Sequence, residues 1–132
     1  MHAPETYDYA VIRVVPRVER DEFVNAGILL SCQSARFLQA RIALDEARLL
    51  ALDPHVDLDT VRRHLAAFPA ICAGGPDAGP IGQMPLRARF HWMTAPRSAI
   101  IQTSPVHVGR CADPAAAIEH LLARMVNSPA PL

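Results

Sequence analysis

Three stretches near the N-terminus, residues 7–15, 23–32 and 36–44, alternate along the chain with a period of two and are rich in Val, Ile, Leu and aromatic residues. That pattern predicts three strands. Pro16 closes the first. The charged run 17–22 links it to the second, and Gln33, Ser34 and Ala35 form a polar turn before the third. Connections this short favour antiparallel pairing, because parallel neighbours need long crossovers.

The period then changes. Residues 45–52 read as a short helix ended by Asp53 and Pro54. Asp57 is a helix cap, followed by Leu58, Val61, Leu65 and Phe68 on one side, with Pro69 expected to end or kink the helix. The Gly/Pro-rich stretch 74–82 reads as a flexible surface loop; it has neither the spacing nor the lysine of a nucleotide loop. A third helix spans 85–94, with Leu86, Phe90 and Met93 on its buried side, and a fourth strand follows over 98–103. Asp113 and Pro114 then open the most strongly patterned helix. Ile118, Leu121, Leu122, Met125 and Val126 repeat at i, i+3, i+4, i+7 and i+8. Residues 127–132 read as a tail.

Strand parity suggests a layering. Ala10, Ile12 and Val14, then Val24, Ala26, Ile28 and Leu30, then Leu38, Ala40, Ile42 and Leu44 form an apolar set. The reverse set mixes Tyr9, Phe23 and Phe37 with Arg13, Asn25, Gln39 and Arg41. The expectation is a two-layer α+β domain. An antiparallel sheet of about four strands carries three to four helices on its apolar face, and the mixed face stays open. One domain accounts for residues 1–132, with an ordered core over about 6–126.

Composition narrows the function. The 13 basic and 13 acidic residues cancel, so the basic surplus of a nucleic-acid binder is missing. All 13 basic residues are arginine, which excludes a Schiff-base or phosphate-loop lysine. Cys32, Cys72 and Cys111 are odd in number and widely spaced, which argues for free thiols in a reducing compartment. The histidines His2, His55, His64, His91, His107 and His120 show no ligand spacing, so no metal site and no cofactor is expected. Neither a signal peptide nor a membrane span is legible, which points to the cytoplasm.

Four segments stand out as motifs: Tyr9 to Pro16, Glu22 to Leu30, Arg89 to Ser98 and Gln102 to Gly109. Together they are similar to the bacterial family catalogued as domain of unknown function 3037. The resemblance spans nearly the whole chain, leaving 45–83 without a matching motif. The family has no established activity, and its genes often lie beside one encoding a kinase-like protein of the toxin–antitoxin type. The resemblance therefore implies an accessory or regulatory role with such a neighbour as partner.

Candidate chemistry is sparse. Arg97, after a helix-ending proline, and His107, after a strand, suit an anion-binding residue and an acid–base group. Equally, both suit turn residues bonded to backbone carbonyls. Ser104 lies three residues before His107, but no nucleophile elbow surrounds it. Arg13, Asn25, Arg41, Trp92 and Arg89 are the candidates for a partner or ligand face, with Glu22 as an alternative internal partner for Arg13. Trp92 sits one step off the buried stripe of its helix, as an interface anchor or as rim packing. Two readings result. The first is a non-enzymatic module binding another protein or a second copy. The second is a small enzyme or binding domain for a nucleotide or phosphoester, using Arg97 and His107.

Overall fold

The computed structural model describes residues 4–97 and 99–127. Residues 128–132, read as a tail, and Ser98, read as the start of the fourth strand, lie outside the described residues. Five strands form one antiparallel sheet: β1 (Glu5–Val14), β2 (Val24–Cys32), β3 (Phe37–Ile42), β4 (Ile101–Thr103) and β5 (His107–Cys111). Their order is β3-β2-β1-β4, and β5 also pairs with β1. Thus β4 and β5 lie end to end along one edge of β1. β4 covers Ile12 to Val14 and β5 covers Glu5 to Tyr9.

Between them the chain inserts one extra residue. Ser104, Pro105 and Val106 face only Ala10 and Val11, which is a β-bulge. At the bulge the Ser104 side chain takes the place of a main-chain acceptor. The Val11 N–H donates to Ser104 Oγ at 2.8 Å, while the Ser104 N–H donates to the Val11 carbonyl at 2.8 Å. The Ser104 hydroxyl itself donates to the Pro105 carbonyl. The fifth strand, not anticipated from the sequence, exists because this bulge lets the edge resume its ladder.

Four helices follow from local chemistry: α1 (Glu46–Leu52), α2 (Leu58–Ala73), α3 (Leu86–Thr94) and α4 (Pro114–Met125). Asp45, Asp57 and Asp113 cap α1, α2 and α4 by accepting from the N–H groups of Arg48, Thr60 and Ala115. Pro69 does not end α2, which runs on to Ala73. The turn beyond the proline is held from outside, because the Arg89 guanidinium donates to the carbonyls of Ile71 and Cys72 and Cys72 is buried. In the Gly/Pro-rich connection the chain makes two short 3-10 turns, at Pro76–Ala78 and Ile81–Gln83.

The class is α+β with an antiparallel sheet, as the sequence implies, but the helices do not share one face. β2 carries a second bulge. Ile12 pairs with Gly27 while Arg13 pairs with Asn25, so Ala26 is the unpaired extra residue. Every side chain beyond it changes sides. Val24, Ala26 and Leu29 pack with Ile12, Val14, Leu38, Val61, Leu65, Phe90 and Met93, under α2 and α3. Ile28, Leu30 and Cys32 instead join Val11, Ile118, Leu121, Leu122 and Val126, under α4. Ile12 and Ile28, grouped together by strict alternation, therefore lie on opposite faces. The face expected to be open is covered by α4. Arg41 pairs with Glu119 of that helix at 2.7 Å, and Asn25 Nδ2 donates to the Met125 carbonyl at 2.9 Å.

Candidate functional site

On the α2/α3 side the helices do not close over the sheet edge. A cleft of about 610 Å³ opens there between α2, α3 and β4. Phe68 and Ile71 of α2, Met93 of α3, and Ile100 and Ile101 form its walls and floor. At its rim stands Trp92, 41% exposed. The Arg97 guanidinium stacks 4.6 Å from the Trp92 ring centre and donates to the carbonyls of Trp92 and Ala95. Thus Pro96 stops α3, and the next residue folds back onto the helix end it has just left. His64, Gln102 and Thr103 are the other polar residues lining the cleft, and among the described residues no carboxylate does.

The structure places the candidates in separate locations. Arg97 belongs to this cleft. His107 lies on the α4 side, its exposed ring 5.4 Å from that of Tyr9, which in turn lies 6.0 Å from Tyr7. The two are on opposite faces of the sheet and share no pocket. Ser104 is buried with its hydroxyl committed to the bulge. Arg89 is a structural staple, donating to the carbonyls of Met84, Ile71 and Cys72. Arg13 and Asn25 are cross-strand neighbours on the α4 side. Glu22 pairs with Arg20 and not with Arg13, whose guanidinium lies 4.1 Å from the Phe23 ring centre. Arg13 Nε and Asn25 Oδ1 are buried without hydrogen-bond partners among the described residues. Of the proposed face, only Trp92 lies at an open apolar site.

His64, Phe68, Ile71 and Ile100 also line the cleft, and none of them stood among the candidate site residues. Phe68 and Ile71 carry the apolar stripe of α2 across Pro69, which was the available signal. That the stripe overhangs the sheet edge is a tertiary fact.

A second, polar pocket of about 830 Å³ lies at the far end of the same face. There Arg87 pairs with Asp8 at 2.6 Å and donates to Ser31, and Ser34 donates to Glu5. Its Arg87 and Asp8 charges satisfy one another. Burial pushes the Cys72 thiol up to about 12, against a smaller downward pull from Arg89. Burial also raises Cys111, assisted by the nearby Cys32, Glu5 and Asp113. Neither thiol has the depressed value of a nucleophile. Among the described residues no group of three or more His, Cys, Asp or Glu side chains could hold a metal, and no helix is long and apolar enough to cross a membrane.

An α+β domain with a five-stranded antiparallel sheet between unequal helical layers, and an apolar cleft at one edge, defines the class of this protein. Residues 9–126 match the family described as protein of unknown function (DUF3037), and the chain belongs to that family. No curated protein and no solved structure matches the chain.

Proposed function

We propose that the chain is a non-enzymatic module that binds another protein through the α2/α3/β4 cleft. The observation that carries this is the exposed Trp92–Arg97 stack at the mouth of an apolar cavity. Tryptophan and arginine are the residues on which interface energy concentrates, particularly beside a pocket that excludes water. An open apolar cavity of this size is a marker of binding in a soluble domain. Catalysis has less support: among the described residues no carboxylate lines the cleft, burial raises the Cys72 and Cys111 thiols, and His107 lies on the other face.

The kinase-like protein implied by the family resemblance is the first partner to test. Purified and mixed with the chain, it is expected to form a complex that co-elutes in gel filtration. Trp92→Ala removes a rim side chain that is 41% exposed, so its cost to folding should stay below about 2 kcal/mol, short of the roughly 3–5 kcal/mol of a core tryptophan. Binding should weaken by at least about thirtyfold, the loss typical of an interface anchor. A complex of unchanged affinity with Trp92→Ala would refute the docking site.

A further inference from the structure

The cleft has a polar wall hidden in its apolar lining. Val15 N–H bonds to the Ile100 carbonyl and Ser104 N–H to the Val11 carbonyl. With the register Ile12–Thr103, Arg13–Gln102 and Val14–Ile101, the hydrogen-bonded pairs are those of Ile100, Gln102 and Ser104. Ile101 and Thr103 therefore aim their N–H and C=O groups away from β1. β4 is the last strand on this side, and among the described residues nothing bonds to those four groups. Both residues line the cleft. Unpaired backbone beside an apolar cavity is a template for one more strand.

The other half of the same edge is different. In β5 the residues turned outward include Arg110, which is exposed, and Val108, 68% exposed, and neither lines one of the cavities described above. A charged residue on an open edge discourages pairing, and β5 lines neither of the two cavities described above.

Resting on the docking role proposed above, we infer that the cleft takes an extended peptide segment of the partner, added as a strand to the outer edge of β4. Side chains of an added strand alternate between faces. Those level with Ile101 and Thr103 enter the apolar cavity, so the segment carries two apolar residues one position apart. Among the described residues the cleft contributes Arg97 and His64 and no acid. Arg97 bonds through Nε and Nη2, which leaves Nη1 unengaged among the described residues. The segment therefore also carries a carboxylate, to meet Arg97 at the rim. Main-chain bonds to Ile101 and Thr103 supply affinity and the alternate side chains supply specificity.

Amide exchange followed by NMR on the full chain tests this. Without peptide, the amides of Ile101 and Thr103 should exchange fast and that of Ser104 slowly. The probe is a capped hexapeptide of alternating valine and threonine ending in two aspartates. It should bind saturably below about 5 mM and slow exchange at Ile101 and Thr103. Methylating the peptide nitrogen that faces the edge should weaken binding about tenfold, as losing one hydrogen bond does. Thr103→Pro should do the same from the protein side, since proline is tolerated where the N–H points outward. If that variant fails to fold, the methylated peptide carries the test alone.

Equal binding of both peptides, with loss in Trp92→Ala, would overturn strand addition and leave cleft docking standing. No saturable binding overturns strand addition. If the kinase-like protein also fails to bind, the docking role falls with it. Self-association that protects Thr103 with no peptide present would assign the edge to a second copy and overturn the peptide assignment.

Discussion

Ser104→Ala isolates a single buried hydrogen bond. Ser104 is 3% exposed and Val11 7%. The Val11 N–H has Ser104 Oγ as its acceptor at 2.8 Å, in the place a main-chain carbonyl takes in a regular ladder. Alanine keeps the backbone and removes only that oxygen. A buried N–H left without an acceptor costs about 1–3 kcal/mol. The second bond lost, to the carbonyl of exposed Pro105, is replaced by water and adds little. The expected destabilisation is about 2 kcal/mol, a sizeable fraction of a total of roughly 5–15 kcal/mol. For a domain of this size that lowers the melting temperature by about 6–10 °C. Urea unfolding followed by circular dichroism measures the free energy, and exchange of the Val11 amide reports the site. A loss under about 0.5 kcal/mol, or a Val11 amide as protected as before, would show that the backbone relaxes to supply its own acceptor. The hydroxyl would then not be what seals the bulge.

Four further outcomes follow from the packing. A Cβ on Gly109 would lie 2.5 Å or less from Tyr7 Cζ and Oη, so Gly109→Ala should cost about 1–3 kcal/mol, and Tyr7→Ala in the same chain should recover part of it in a double-mutant cycle. Leu121→Ala should cost about 2–5 kcal/mol in chemical denaturation; a loss under about 1 kcal/mol would mean that α4 is not docked on Ile28 and Leu30. Arg36 closes the β2–β3 hairpin at φ 51°, a region costly for any residue with a Cβ, and Arg36→Gly should raise stability by about 0.5–1 kcal/mol. The Cys72 thiol has its pKa raised by burial from 9.0 to about 12, so between those values the folded state holds a proton the unfolded state has lost. Stability should fall as pH rises through that window, and Cys72→Ala should fall less steeply in pH-dependent unfolding.

Most of the secondary structure, β5 apart, was legible because its signals are local. Alternation marks β1 and β3, and an aspartate precedes α1, α2 and α4 where each helix begins. Pro69 does not end α2, and what holds the turn beyond it is not local: Arg89, twenty residues on, donates to its carbonyls. The cleft was legible only in its anchors. Trp92 stands off its helix stripe and Arg97 follows a proline, but the overhang of α2 beyond β4 exists only in three dimensions.

The layering failed on one residue. Strict alternation through β2 would place Asn25, Gly27, Leu29 and Ser31 on one face, a poor floor for a helix presenting Ile118, Leu121 and Leu122. Bulging Ala26 exchanges that floor for Ile28, Leu30 and Cys32 and leaves Val24 and Ala26 where the first core needs them. Gly27 permits the exchange, since a Cβ there would lie 2.6 Å from the Arg41 carbonyl oxygen. Two signals of this were present in the sequence. A glycine inside a strand suggests a bulge or a close backbone approach, and the unbroken apolar run from Ala26 to Leu30 suits a strand buried on both faces better than one with a wet side. The apolar stripe of α4 points the same way. A helix that greasy needs a sheet face of its own, and α2 and α3 already fill the other.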